Sequence, residues 1–338
     1  MSTTIIVGNG PAGFYTAKKL REYDPSMRVI IFDRSPLPFY TKIRLPDFIA
    51  GKVPLEKLFL AGPETYEKAG IETCLGQAVV DVDLKRRSLR GADGEELSWD
   101  NLIIASGAKA AHPPDARGLE SEGVFTLRNI GDAQCLTEKI ASSKTAIVIG
   151  GGLLGLELAH ALLLRGLKVT VLEFCPILLP RQLKEAEARI LQDEMEKMGF
   201  SFLLGHCTDS IAKLEKGLRV HTKNGEALEA DLVVVSTGIA PDVSLAAQMG
   251  LQIEKAILVN DRLESSQPGV YAIGDCVQHK GVIYGLWAAA KEQGETLAGI
   301  ICGRSGEYKG SSFDPVLKVT GIQLAEIRAR ASAGNVST

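Results

Sequence analysis

Apolar residues in this chain gather mostly into short unbroken runs closed by glycine or an acid. Examples are IIVG at 5–8, RVIIFD at 28–33, LIIASG at 102–107, KVTVLE at 168–173 and LVVVSTG at 232–238. Runs of this kind lack the polar alternation of a half-wetted strand and predict strands buried on both faces, as in parallel α/β sheets. The stretch IYGLWAAAKEQGETLAGIICG instead spaces its apolar positions at the helical period, which predicts a helix over about 286–302. Residues 146–164, AIVIGGGLLGLELAHALLL, are long enough to span a bilayer. Three consecutive glycines, then Glu157 and His160, divide that stretch into a buried strand, a turn and a helix, so no membrane span is predicted.

The pattern also repeats. Residues 5–20, IIVGNGPAGFYTAKKL, match 147–162, IVIGGGLLGLELAHAL, with Gly8, Gly10, Gly13 and Ala17 falling on Gly150, Gly152, Gly155 and Ala159 at an offset of 142. Each copy is followed by an apolar strand ending in an acid, Asp33 or Glu173. Further on, Gly94, Asp100 and Gly107 correspond to Gly225, Asp231 and Gly238 at an offset of 131, each set spanning a hairpin and a returning strand. Two blocks repeated in the same order predict two parallel sheets of related topology.

Composition adjusts this picture in three places. Glycine, at 35 of 338 residues, is in excess without a collagen-like period, so the surplus belongs to specific tight turns. The formal net charge of −3 gives no support for a polyanion binder, although Lys85, Arg86, Arg87 and Arg90 form a local basic cluster. The six cysteines, at 74, 135, 175, 207, 276 and 302, form no CxxC, which excludes zinc ribbons and adjacent redox pairs, and they read as buried, reduced thiols. No metal site is expected. The N-terminus enters an apolar strand without a basic region or cleavage site, which predicts a cytoplasmic protein without a signal peptide.

Both glycine motifs have the context that a GxGxxG needs, a strand before and a helix after, with an acid 20 residues beyond Gly13 and 18 beyond Gly155. The first glycine makes the turn, the second admits a pyrophosphate to the backbone, and the third lets helix and strand pack closely. The helix N-terminus offers unpaired N–H groups and a positive dipole end to phosphate, and Asp33 and Glu173 are placed to accept from a ribose diol.

With two dinucleotide sites on one chain, the sequence resembles the flavoproteins of the pyridine nucleotide-disulfide oxidoreductase family. The resemblance covers about residues 3–325. LIIASGA at 102–108 looks like the family's ATG segment, with Ser106 in place of the usual threonine, and GVYAIGDC at 269–276 looks like its second flavin motif. The fold implied is α/β, with two Rossmann-like three-layer dinucleotide-binding domains. Residues 1–110 and 242–306 would form a discontinuous FAD-binding domain, 111–241 the NAD-binding domain, and 307–338 a remnant of the C-terminal interface domain. The segment 39–60 looks most like the NADH:rubredoxin oxidoreductase and nitrite reductase branch. It holds none of the cysteines that the disulfide-bearing members, peroxidases and coenzyme A disulfide reductases carry there, so electrons are expected to pass from reduced FAD directly to an external acceptor.

The resemblance implies FAD contacts from Gly8, Gly10, Pro11, Ala12, Gly13, Asp33, Arg34, Lys42, Val79, Ala105, Ser106, Gly107, Arg128, Gly274 and Asp275. NADH contacts are implied for Gly150, Gly152, Leu153, Leu154, Gly155, Glu173 and Gly238. Asp275 would bind the ribityl chain. Lys42 and Arg128 match arginines near FAD in relatives, with solvated surface charge as the alternative. Two residues are candidates for the reacting region. Glu157, in the first turn after the second glycine loop, matches a glutamate near nicotinamide and flavin; an acid complementing the helix dipole is the alternative. Trp287 opens a helix aimed at the flavin pyrimidine ring, where it would flank the isoalloxazine or carry electrons; plain packing is the alternative.

The activity implied is NADH-dependent reduction of FAD and then of a small redox protein such as rubredoxin. The rivals are a peroxide-forming NADH oxidase, the electron-input module of a nitrite reductase, and an NADH-sensing flavoprotein. Only RARASAGNVST follows the opening of the interface domain, which leads us to expect a monomer or a subunit of a hetero-complex. Sedimentation at micromolar concentration checks this, a stable homodimer being the contrary result. Glu173 would repel a 2′-phosphate, and no arginine follows until Arg181, so kcat/KM is expected to favour NADH over NADPH; comparable values would overturn that expectation.

Overall fold

The computed structural model describes residues 2–304, 306–312, 316–319 and 321–334. The chain divides into two units, the first made of Met1–Thr41, Phe59–Lys109 and Ala240–Phe313, the second of Lys42–Leu58, Ala110–Ile239 and Asp314–Thr338. The segment expected to open a third domain is thus divided between the two units, and its last residues, 335–338, lie outside the described residues.

In the first unit the apolar runs form one parallel sheet, in the order Val270–Ala272, Asn101–Ile104, Thr3–Val7, Arg28–Asp33, Ile71–Leu75. Alternate side chains enter different cores: Ile6, Val29 and Ile31 join one apolar cluster, while Ile5, Ile30 and Phe32 join another. That two-faced burial explains why the central runs are apolar between their ends, whereas the edge strand Ile71–Leu75 exposes Glu72 and Thr73; each fully buried Ile or Phe contributes roughly 1.5–3 kcal/mol. Helix Pro11–Tyr23 starts at a proline, which needs no N–H at this position, and presents Ala12, Thr16, Ala17 and Leu20 to the core.

In the second unit the corresponding sheet runs Ser201–Leu204, Lys168–Glu173, Thr145–Ile149, Leu232–Val235, Val124–Phe125, again all parallel. The three sheet strands of the repeat, and the strand next to each acid-ending one, keep the same order in both units. Each unit also carries a three-stranded antiparallel meander, Val79–Asp83 with Ser88–Gly91 and Glu96–Ser98, and Thr208–Lys213 with Leu218–Thr222 and Ala227–Ala230. Both first strands are irregular at the matching place, Val79/Asp81 and Thr208/Ser210. Residues 146–164 form most of a strand, the glycine turn and helix Leu153–Leu164. Among the described residues no helix is long and apolar enough to cross a membrane.

The thiol expectation needs correction. All six cysteines are free, but only Cys276 is buried. Cys135 is exposed because helix Ile130–Ile140 turns Ile130, Ala133, Leu136 and Ile140 inward and leaves position 135 outside.

Helix Trp287–Ile301 crosses helix Pro11–Tyr23 so closely that a Cβ on Gly294 would lie 2.6 Å from the carbonyl oxygen of Ala12. Gly294→Ala would gain about 1 kcal/mol of helix propensity. The backbone clash outweighs this, and a net loss of about 1–3 kcal/mol is expected as a lower urea midpoint; an unchanged midpoint would contradict the close crossing.

Candidate functional site

At the end of the first strand Gly8 adopts φ +122°, and a Cβ there would sit 2.1 Å from the Ala105 carbonyl oxygen. A Cβ on Gly13 would lie 1.9 Å from the oxygen of Gly8. These two glycines therefore serve the close approach of strand, turn and helix. Gly10 differs: nothing lies within 4 Å of its Cβ position, so the loop is open on that side. Pro11 has no N–H, and Phe14 N–H is taken by the Gly10 carbonyl at 2.9 Å, which leaves the amides of Ala12 and Gly13 without intrahelical acceptors. Asp33 braces the turn, one carboxylate oxygen accepting from Asn9 N–H at 2.6 Å and the other from Ser35 N–H at 2.7 Å.

The second loop repeats this construction. Gly150 has φ +119°, with a Cβ position 2.3 Å from the Ser236 oxygen; that of Gly155 is 2.0 Å from the Gly150 oxygen, and that of Gly152 is open. Leu156 N–H closes on Gly152 at 2.9 Å, so the amides of Leu153, Leu154 and Gly155 face outward from the helix end. Glu173 accepts from Gly151 N–H through one oxygen and from Cys175 N–H, at 2.8 Å, through the other. Both acids were expected to serve a ribose. The structure gives each a second task, holding the loop backbone, and two accepted bonds leave lone pairs over on each carboxylate.

The returning strands end in matching latches. The Ser106 hydroxyl donates to the Asp242 carbonyl at 2.7 Å, and the Thr237 hydroxyl to the Ala111 carbonyl at 2.7 Å. In return Asp242 N–H donates to Gly107 at 2.9 Å, and Ala111 N–H to Gly238 at 3.0 Å. Gly107 and Gly238 hold φ +72° and +110° with open Cβ positions, and Ala105 is buried. Where the second latch has Ala111, the first has a carboxylate 6% exposed. Asp242 lies 3.4 Å from Arg34 and 3.2 Å from Lys109. Burial pushes its carboxyl up, but hydrogen bonds from Ser244 and Lys109 outweigh this and hold it below the usual range. Sequence reading missed Asp242, though the 131-residue offset that pairs Ser106 with Thr237 also pairs Asp242 with Ala111.

The second flavin-like motif forms a single helical turn, Gly274–Cys276, after strand Val270–Ala272. Gly274 N–H donates to Gln293 at 2.7 Å, its Cβ position is 3.0 Å from the Ala12 Cβ, and Asp275 is half-buried beside it. Trp287 opens its helix as expected and stacks on Phe39 at 5.5 Å, so a packing role is real for it. Val79 lies at the irregular start of its meander and packs on the first unit's core. Two residues expected near FAD belong to the second unit: Lys42, exposed in a short turn, and Arg128, whose backbone N–H is held by Asp132 at 2.7 Å.

Glu157 opens the second turn of helix Leu153–Leu164 rather than lying in its first turn. Burial pushes its carboxyl up, partly offset by the Lys318 backbone N–H, which donates to it at 2.9 Å. At this depth in the helix the dipole has largely faded, which weakens the alternative role of dipole partner.

The family model described as pyridine nucleotide-disulphide oxidoreductase matches residues 2–294. The chain is 36% identical over 322 residues to the assimilatory nitrate reductase electron transfer subunit of Bacillus subtilis (strain 168), covering 95% of this chain and 42% of that one. It is 31% identical over 313 residues to rubredoxin-NAD(+) reductase of Pseudomonas putida, covering 89% of this chain and 80% of that one. Among solved structures, the NADH:rubredoxin oxidoreductase of Clostridium acetobutylicum is similar with a TM-score of 0.79 and 26% identity, covering 95% of this chain and 80% of that one. The covalent putidaredoxin reductase–putidaredoxin complex gives a TM-score of 0.89 at 25% identity, with the same coverages. The chain spans about two fifths of the length of curated relatives such as the nitrate reductase subunit and the nitrite reductase of Bacillus subtilis (strain 168). A family model that accounts for both glycine loops, the two latches and the Gly274–Cys276 turn leaves one assignment: this chain belongs to the pyridine nucleotide-disulphide oxidoreductase family.

Proposed function

We propose that this protein is an NADH-dependent FAD oxidoreductase that passes electrons to a small redox protein of the rubredoxin type. One observation carries the reading: two backbone cradles, each with an acid-braced glycine turn, open space at Gly10 or Gly152, and outward helix amides. These residues fit the cofactors named. FAD would lie on Gly8–Gly13, Asp33, Arg34, Ala105–Gly107 and Gly274–Asp275, with Val79 as a further contact. NADH would lie on Gly150–Gly155, Glu173 and Gly238.

When bound, the pair supplies hydride chemistry that no side chain could provide. The chain's residues bind and orient it. Outward amides at both loops neutralise pyrophosphate charge. The open amides at the start of helix Trp287–Ile301 would lend positive potential to a flavin ring bound there, and Trp287 is backed by stacking on Phe39. Glu157 would place a carboxylate beside the nicotinamide end of the second site.

Similarity to rubredoxin-NAD(+) reductase and to the putidaredoxin reductase complex supports a small protein acceptor. The 36% identity to an electron transfer subunit supports a second reading, the input module of a nitrate- or nitrite-reducing hetero-complex. Six free thiols suit a reducing compartment such as the cytoplasm.

Filling the cradles one at a time separates the two sites. Gly10→Val is expected to leave the fold intact by circular dichroism but to yield protein without flavin. Gly152→Val is expected to retain flavin while anaerobic reduction by NADH slows about 100-fold, a loss of roughly 3 kcal/mol. Equal reduction rates in Gly152→Val and wild type would overturn the assignment. Mixing the reduced protein with rubredoxin, ferredoxin, quinone, nitrite or oxygen then ranks the acceptors.

A further inference from the structure

Glu157 sits on a helix whose other residues from 153 to 164 are apolar except His160. Its hydrogen-bond donor comes from 161 residues further along the chain, the backbone N–H of Lys318. That amide is anchored on both sides. Leu317 and Val319 are 4% and 3% exposed, and the Lys318 ammonium donates to the Ile43 carbonyl at 3.3 Å. Beyond them, helix Leu324–Gly334 is tied within the same unit by Arg330 to Glu194 at 3.2 Å and by Arg328 to the Gln182 carbonyl at 3.4 Å. A single backbone N–H is thus presented to the carboxylate by a well-packed segment.

The charged groups around Glu157 act in opposite directions. Asp47, on helix Leu45–Ile49 and paired with Arg44 at 3.4 Å, disfavours a second negative charge, as does burial. The Lys318 amide and ammonium favour it. His160, one turn along the same helix, is kept from charging by burial and by Lys52.

We infer that the Lys318 amide is a positioning group for hydride transfer, holding the Glu157 carboxylate in place beside the second dinucleotide. The inference rests on the reading of Glu157 as the nicotinamide-side acid. Oxidation of bound NADH would break its C4–H bond, send both electrons and the proton to the flavin, and leave a pyridinium cation in place of a neutral dihydronicotinamide. A nearby carboxylate stabilises that developing positive charge, and a protonated one does not. The Lys318 amide therefore counters the burial of Glu157 and is expected to lower the pH at which the reaction fails.

The test is anaerobic stopped-flow reduction of the holoprotein by NADH from neutral into mildly acidic buffer. In wild type the rate is expected to fall as Glu157 protonates, and Glu157→Gln is expected to show no such limb. Lys318→Pro removes the donor, so the acid limb is expected to move to higher pH by about one unit, and Lys318→Ala, which keeps the amide, to move it less. A Lys318→Pro profile that overlays wild type, or a Glu157→Gln profile that keeps the limb, would overturn the inference. Absence of reduction in wild type at every pH would instead remove the functional reading beneath it. Should Lys318→Pro misfold, hydrogen exchange decides: in Glu157→Ala the Lys318 amide is expected to exchange about tenfold faster, a loss of ~1.4 kcal/mol of protection, and an unchanged rate counts against the contact.

Discussion

The structure depends on bringing a helix N-terminus into backbone contact with a strand end and holding it there. At Gly13 and Gly155 the helix comes so near the turn that a methyl group would fall about 2 Å from a carbonyl oxygen. Nothing but hydrogen fits, and the amides beyond are aimed outward as a result. The carboxylates of Asp33 and Glu173 complete the arrangement by gripping the residue after the first glycine. An acid usually read as a ligand contact is therefore also a structural tie, and a substitution there alters the shape of the phosphate loop together with recognition of the sugar.

Duplication accounts for most of the remaining architecture, and divergence for its asymmetry. The two latches share their hydroxyl and amide bonds, yet one places a buried carboxylate between Arg34 and Lys109 while the other places a methyl group. The first loop begins its helix with Pro11, giving up one donor for a fixed backbone angle; the second keeps all of its early amides. Equivalent backbones have thus come to present different electrostatic surfaces.

Much of this was legible in the sequence because backbone constraints leave local marks. Glycines at steric contacts, acids at strand ends and apolar runs buried on both faces are each forced by geometry within a few dozen residues, and the repeat shows them twice. Contacts made by side chains and amides far apart in sequence leave no such mark. The Lys318 to Glu157 bond, the Gln293 grip on Gly274 and the cations around Asp242 depend on where tertiary packing brings distant segments. Cysteine burial was misjudged for a related reason, since exposure at Cys135 depends on which way its helix is turned.

Three motifs meet at Ala12. Its carbonyl oxygen leaves no room for a side chain at Gly294, and its methyl group touches the space a side chain would need at Gly274. The glycine loop, the Gly274–Cys276 turn and the helix that begins at Trp287 are consequently not independent in evolution. A larger residue at any of these three positions would demand compensation at another, so the first unit can change its surface and its meander freely while this small-residue junction drifts slowly or only in concert.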